Sequence, residues 1–468
     1  MPDQNTATQN NNNDIANNPE IQQIGSDNSY LEVEKLKKKR RNLVIVSFVA
    51  FVIILIGAIT VIYLYNYHPT PSNKNITLTM WGVRQPESVY SQVIQEYEKL
   101  HPNIKIVYDQ IPSTNYESDL YSKLSSGINE PDIVTVGNTY IPIFKKYLTP
   151  APASVITTTQ YQNIFYPTAA QDFISYGQIY ALPSNYDGLA LIYNKTEFQN
   201  AGLTAPSSNI TNFVNEIPKL VIKNNSQTTT QAAVDIGTDT SNINNAYDIL
   251  YYLMFLNKTS MISNNTVTFA NGNNAQEALN LYNQIAQEDG WNSTFPNAVS
   301  AFAAGDVAMI FEPSWEVKNI LTINPKISIG IVPPPQIPGN NVYLSLYFGK
   351  SVTAYSKYPQ QAWQFLNYLD QKSTLLTLYN NEVQNGEILG EVFPRKDMAN
   401  LASQYQYMEP FIQMAPYSKS WEMGDYKKVG AIFDNVIAGN ETLQQAQSQV
   451  LSLLIKVTHN DYVVPPNE

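Results

Sequence analysis

The chain contains no cysteine, only three histidines and few charges. Without cysteine there can be no disulfide, no thiolate metal site and no cysteine nucleophile. His68, His101 and His459 are scattered, and none falls in a metal-ligand spacing such as HExxH. They read as unrelated surface or loop residues. No glycine-rich phosphate loop and no short repeat occurs, and the 20 glycines are spread singly. A basic stripe is missing too. The net charge is −11, and nucleic-acid binding needs clustered Lys and Arg, so nucleic acid is excluded as a partner. Neither a metal nor another cofactor is implied.

What is present is globular. Apolar residues make up 43% of the 468 positions and charged residues 14%, which separates the chain from disordered proteins and leaves a lightly charged surface. The length is enough for two lobes.

Residues 1 to about 34 are rich in Asn and Gln and read as a disordered tail, which ends at about residue 42 in a basic flank, Lys37-Lys38-Lys39-Arg40-Arg41. An uncharged apolar run follows, from Leu43 to Tyr65. About 20 apolar residues cross a bilayer as a helix. Tyr63, Tyr65 and Tyr67 sit at its far end, where an aromatic belt is expected. The basic run before it places the tail in the cytoplasm and everything after it outside the cell membrane. The competing reading is a cleaved signal peptide, but such h-regions span about 7–15 residues and end at a small-residue cleavage site. Residues 66–75, including HPTPSNK, form a polar tether.

From Asn75 the pattern alternates. ITLTMW (Ile76–Trp81), IKIVY (Ile104–Tyr108) and PDIVTVG (Pro131–Gly137) read as strands. Between them Val89, Val93, Ile94, Tyr97 and Leu100, then Tyr116, Leu120, Tyr121 and Leu124, recur at helical spacing, the second helix ending at Gly127. Strand–helix–strand–helix–strand makes a parallel-sheet α/β lobe. Ligands in such sheets bind beyond the carboxyl ends of the strands. Further helices are expected at Ala246–Leu256, Ala275–Glu288, Gln360–Leu369 and Glu441–Ile455.

The order of motifs resembles the family 1 extracellular solute-binding proteins, the maltose-binding-protein-like group served by ABC importers. The blocks are LTMWG with EKLHPNIKIVY and YSKLSSGINEPDIVTVGN; GQIYALPSNYDGLALIYNKTEFQNAGL; AFAAGDVAMIFEPSWEV; IGIVPPPQIPGNNVYLSLYFGKSVTAYSKYPQQAWQFLNYL; and EVFPRKDM. Each is weak alone, but five in the family's order are specific, and they span about Ile76 to Leu454. The resemblance implies a two-lobed, hinged periplasmic-binding-protein-like fold of type II. Lobe 1 would hold about residues 76–185 and 350–390, and lobe 2 about 186–349 and 391–468. The chain would cross between lobes near Pro183-Ser184-Asn185. It departs from the family in lacking a lipid-attachment cysteine, in having PSW after Glu312 where GSW is usual, and in keeping one glycine, Gly349, of a common pair.

The resemblance also implies site residues. Trp315 stands where a cleft aromatic stacks on a sugar ring; a flat indole covers the apolar C–H face of a pyranose. Asp187 would accept hydrogen bonds from vicinal sugar hydroxyls, the alternative being a strand-end residue facing solvent. Trp81 sits at a strand end, either at the cleft or in the core. Asn138 and Arg84, in loops after strands, stand at positions of polar contacts, or are solvated loop residues. Tyr347 lies on the strand crossing back to lobe 1. Trp421 and Tyr426 precede a helix over Ala431–Ala438 and are further stacking candidates, with Tyr247 also a candidate. Arg395 and Asp132 read as structural.

Together these expectations describe a membrane-anchored monomer that captures a carbohydrate and delivers it to ABC permease subunits. It would not be an enzyme. The alternatives are a surface sensor or adhesin on the same fold, and a surface glycosidase, which would need two facing carboxylates among Asp187, Glu312 and Asp132.

Overall fold

The computed structural model describes residues 19–66, 75–128, 130–263, 266–421 and 424–458. The chain divides into two compact units, residues 1–74 and 75–468. The expected tether falls almost wholly outside the described residues, as does the tail before Pro19.

The first unit is one helix, Pro19–Asn66. It starts well before the apolar run and takes in a segment expected to be disordered. The physical reason lies in YLEVEKLKKKRR, whose Leu, Glu, Lys and Arg are strong helix formers; a helix nucleated in the apolar run extends backward through them. The stretch Glu32–Ala58 is long and apolar enough to cross a membrane. Its apolar side chains, Phe48, Phe51 and Ile54 among them, are bare within this unit.

The second unit has two hydrophobic cores, each around its own sheet. In the first sheet the strands lie in the order Ile104–Ile111, Ile76–Val83, Ile133–Gly137, Phe348–Thr353 and Leu148–Thr149, with Leu182–Pro183 also pairing to Phe348–Thr353. The first three are parallel, Ile76 opposite Ile104 and Met80 opposite Ile133. This is the βαβ series the sequence predicts. Helix Tyr116–Ser126 ends at Gly127, where φ is +67° and a side chain would be strained. Trp363 fills this core and donates its indole N–H to the Thr149 carbonyl at 3.1 Å. In the second sheet the order is Ile329–Val332, Ala190–Asn194, Val307–Glu312, Thr229–Val234 and Ile222–Lys223. Helix Ala246–Leu256, hydrophobic nearly all round, lies buried in this lobe.

The chain passes between the cores several times. Residues 184–189 join strand Leu182–Pro183 in the first lobe to Ala190–Asn194 in the second. Residues 345–347 return: Leu346 packs in the second core and Tyr347 in the first. These segments run side by side, Leu189 N donating to Leu344 O (3.1 Å) and Leu346 N to Asp187 O (3.0 Å). Tyr186 N donates to Val392 O at 2.9 Å, adding a third segment. Helix Lys372–Gln384, expected in lobe 1, straddles the lobes. Leu375 and Tyr379 enter the second core, while Asn381 donates to the Val89 carbonyl in the first lobe at 2.9 Å. Arg395 and Asp132 tie structure together as expected. Arg395 clamps Asp397 and donates to the Asp370 carbonyl, and Asp132 accepts from Thr79 N and Ser356 Oγ.

Gly188 marks the tightest point of the crossing. A methyl group there would sit 2.6 Å from Leu344 O, a backbone atom with little room to move. Gly188→Ala should destabilise the chain by about 1–3 kcal/mol, the usual cost of overpacking, read as a lower urea midpoint at unchanged m-value. An unchanged midpoint would contradict the close packing of the two segments.

Candidate functional site

The site is built at the carboxyl ends of the first-lobe strands. Strand Ile76–Val83 ends in Arg84-Gln85, and Gly82 lets the Tyr108 ring close over the strand, since a side chain at Gly82 would collide with it. Arg84 takes a left-handed conformation, φ 73°. That conformation costs a non-glycine residue free energy, and neighbouring contacts hold it. Gln110 Nε2 donates to Arg84 O (3.1 Å) and Tyr108 OH to Gln85 O (2.6 Å).

From the second lobe, strand Val307–Glu312 leads into Pro313-Ser314-Trp315. Trp315 starts helix Glu316–Ile323 and is half-buried. The Arg84 guanidinium lies over its ring, 4.5 Å from the centroid, and Phe348 tilts against it at 6.4 Å. Arg84, Asn185, Asp187, Ser314, Trp315, Glu382 and Glu391 line a pocket with about 40 Å3 open to water. That is a fraction of the roughly 300–1,000 Å3 of ordinary ligand pockets. The lobes are therefore drawn together here, with Arg84 filling the space over the indole.

Asp187 is at this pocket, but it does not face solvent. Its Oδ1 accepts from Gly188 N (2.7 Å) and Ser314 N (3.0 Å), and its Oδ2 accepts from Ser314 Oγ. The carboxylate thus fixes the loop that carries Trp315. Burial pushes its pKa up to about 7, and these hydrogen bonds oppose the shift. Glu382 and Glu391 are pushed up by burial as well; for Glu382 the neighbouring Glu391 adds to the rise, while Lys350 and Arg84 oppose it for Glu391.

Asn138 and Tyr347 come together, around an acid that no sequence motif marks. Asp172, 1% exposed, accepts from Asn138 Nδ2 (3.1 Å), Tyr347 OH (2.6 Å) and Ser420 Oγ. Asn138 Oδ1 in turn accepts from Tyr347 N at 3.2 Å. Neither is a solvated loop residue; both lock the crossing. Burial raises Asp172 to about 6 against the pull of these donors.

Tyr247 and Tyr426 also meet. Their rings stand edge-on at 5.1 Å, Tyr426 OH donates to Asp248, and Tyr140 from the first lobe lies 6.3 Å from Tyr426. Tyr426 packs against both cores. Beside this aromatic bridge a second pocket of about 410 Å3 opens, lined by Glu117, Tyr121, Tyr140, Phe144, Asp425 and Lys427 among others.

One expected stacker is elsewhere, and Trp81 takes one of its two expected places. Trp421 is buried in the second core, edge-on to Tyr251 at 5.5 Å and Phe269 at 5.7 Å. The ring-rich interior formed by Tyr251, Phe269 and Phe433 outcompetes an exposed position. Trp81 lies half-buried against the first core. Glu391 and Ser314 lie within the EVFPRKDM and EPSW blocks, but no residue pattern there marks them as site residues. Asp172 carries no motif signal.

Two α/β lobes, crossed by paired segments and enclosing pockets between them, define a two-lobed solute-binding fold. The sequence profile of the bacterial extracellular solute-binding proteins matches residues 82–372, and the chain belongs to that family. It is 21% identical over 311 residues to the multiple sugar-binding protein of Streptococcus mutans, covering 64% of this chain and 71% of that one. The same two-lobed periplasmic-binding-protein fold is seen in the GacH receptor of Streptomyces glaucescens, solved unliganded and with acarbose, at TM-score 0.64 and 16% identity, over 82% of this chain and 99% of that one. A cyclo/maltodextrin-binding protein complexed with maltotetraose gives TM-score 0.64 and 18% identity over 84% of this chain and all of that one.

The raised acids make stability depend on pH. Asp172 and Asp187 ionise near 3.8 when unfolded, but near about 6 and 7 when folded. Between those values the folded chain binds more protons, so their stabilisation is full below about pH 4 and is lost as pH rises through the folded pKa. Asp187→Asn should flatten the fall of the thermal midpoint between about pH 4 and 7, and Asp172→Asn that between about pH 4 and 6. Slopes identical to the parent would contradict the assignment. Asp248, also raised to about 7 by burial, keeps some slope in either variant.

Proposed function

We propose that the chain is a membrane-anchored, extracellular binding protein that takes a carbohydrate into the cleft between its lobes and hands it to an ABC permease. The observation that carries this reading is Trp315: a half-buried indole on one lobe, facing the other across a pocket lined with carboxylate, amide and hydroxyl groups. A sugar ring needs that combination, an aromatic face for its C–H surface and polar groups for its hydroxyl edge. The sugar-binding relatives support the class of ligand. The membrane-length stretch Glu32–Ala58, in which the basic run Lys37–Arg41 precedes the uncharged run that starts at Leu43, supports anchoring with the lobes outside.

Binding works by closure. The pocket at Trp315 is too small for a sugar, so the solute enters an open form, and the lobes close by bending the crossing segments. The ligand favours the closed form because only there do both lobes touch it. Each acid a glycosidase would need is already engaged: Asp187 by Ser314, Glu312 by Asn245 and Asp132 by Thr79. This favours binding over hydrolysis.

Thermal-shift and calorimetric titration of the full chain in detergent, against oligosaccharides, amino acids and organic anions, tests the reading. Stabilisation by at least one oligosaccharide is expected, rising with its concentration. Trp315→Ala should weaken that binding up to about tenfold, since stacking contributes ~0.5–1.5 kcal/mol. Trp421→Ala should lower the thermal midpoint and leave the affinity alone. Stabilisation by amino acids or anions and by no sugar would sink the carbohydrate assignment.

A further inference from the structure

One face of Trp315 is already occupied, and its occupant is a cation of the chain itself. Arg84 reaches over the indole from the first lobe. Among the described residues its guanidinium makes no hydrogen bond and no ion pair; the hydrogen bonds at this corner go to backbone carbonyls, of Arg84 from Gln110 and of Gln85 from Tyr108. The guanidinium is therefore held by the ring face and by the surrounding field. That field is acidic. Asp187, Glu382, Glu387 and Glu391 line the same pocket, and Arg84 is the one cation among its lining residues. Glu387 has its own partner, Lys318, at 2.7 Å. Glu382 and Glu391 do not: Glu391 N donates to Glu382 Oε2 (2.6 Å), and Glu391 Oε1 accepts from the neutral Gln85 amide (2.8 Å). Lys350 and Glu391 both line a separate small cavity, and Lys350 opposes the rise of the Glu391 pKa more than Arg84 does.

A sugar that stacks on that face of Trp315 has to displace Arg84. A neutral sugar then leaves Glu382 and Asp187, whose burial already favours the protonated form, with no cation in the pocket, and Glu391 with Lys350 alone, so each ionised acid must take up a proton or stay unpaired. An acidic sugar adds a further negative charge among them. A sugar carrying an ammonium group replaces what leaves, charge for charge, on the same ring face. Resting on the carbohydrate reading above, we propose that the pocket at Trp315 selects saccharides bearing a positively charged amine, whose ammonium exchanges with the Arg84 guanidinium among Glu382, Glu391 and Asp187.

Calorimetric titration of the full chain in detergent, at a pH where the amine is protonated, compares three β-1,4-linked disaccharides: that of glucosamine, its N,N′-diacetyl form and that of glucose. The glucosamine disaccharide is expected to bind at least about tenfold tighter than the other two, a difference of about 1.4 kcal/mol. Glu391→Gln should shrink that margin, and Arg84→Ala should leave glucosamine affinity unchanged or raise it, since the variant removes a competitor. Equal affinity for all three would overturn this inference and leave the carbohydrate reading standing. An amine preference undiminished in both Glu391→Gln and Glu382→Gln would overturn it too, as would a large loss in Arg84→Ala. Binding of no saccharide of any kind would remove both readings.

Discussion

Where the chain passes between its two cores, a carboxyl group sits with almost no access to water. Burying a charge is costly unless donors surround it, and Asp172 gathers donors from four places: Asn138 after the third strand, Tyr347 on the returning segment, Ser420 near the C-terminal helices and Thr168 on its own helix. The first three lie on segments distant in sequence, and the carboxyl brings them to one point. The paired backbones of residues 184–189 and 345–347 run alongside. The crossing is therefore fixed at this point, and the bending that closes the lobes has to be taken up by the crossing segments on either side of it.

Above this point, the cleft is arranged by a second buried acid. Asp187 lies on a crossing segment, and Ser314, which it holds, precedes Trp315. The position of the indole is thus linked to the conformation of the hinge. Arg84 completes the arrangement from the other lobe, so the two lobes meet through a cation on a ring. Tyr140, Tyr247 and Tyr426 make a second bridge between the lobes. The pocket at Trp315 is small and rich in acids, and a separate, roomier pocket lies beside Tyr140.

Much of this was legible in the sequence because strands and helices announce themselves through periodicity. The parallel series Ile76–Val83, Ile104–Ile111 and Ile133–Gly137 and the helix Ala246–Leu256 fall within a few residues of expectation. Trp315 could be singled out because EPSW follows a strand. Roles were harder to see than positions. Asp187 was expected to face the ligand, yet its lone pairs are largely taken by Ser314 and Gly188. Asn138 and Tyr347 serve a buried acid whose own surroundings in sequence, TAAQDF, carry no signal. Trp421 illustrates the limit most clearly. Sequence shows an aromatic near the expected place, but only packing reveals that Tyr251, Phe269 and Phe433 enclose it. A helix such as Lys372–Gln384 can serve both cores at once, which no one-dimensional boundary can express.

The central claim is that the lobes close around a saccharide. The natural absence of cysteine makes this directly measurable. Cysteines introduced at exposed Ser125 on the first lobe and Asn280 on the second can carry a pair of spin labels in the full chain. Their distance distribution, read by pulsed dipolar spectroscopy without and with a saturating oligosaccharide found to stabilise the protein, reports the motion. The account predicts a broad distribution that narrows and shortens on adding the sugar. One distribution, unchanged by a sugar that demonstrably binds, would contradict it.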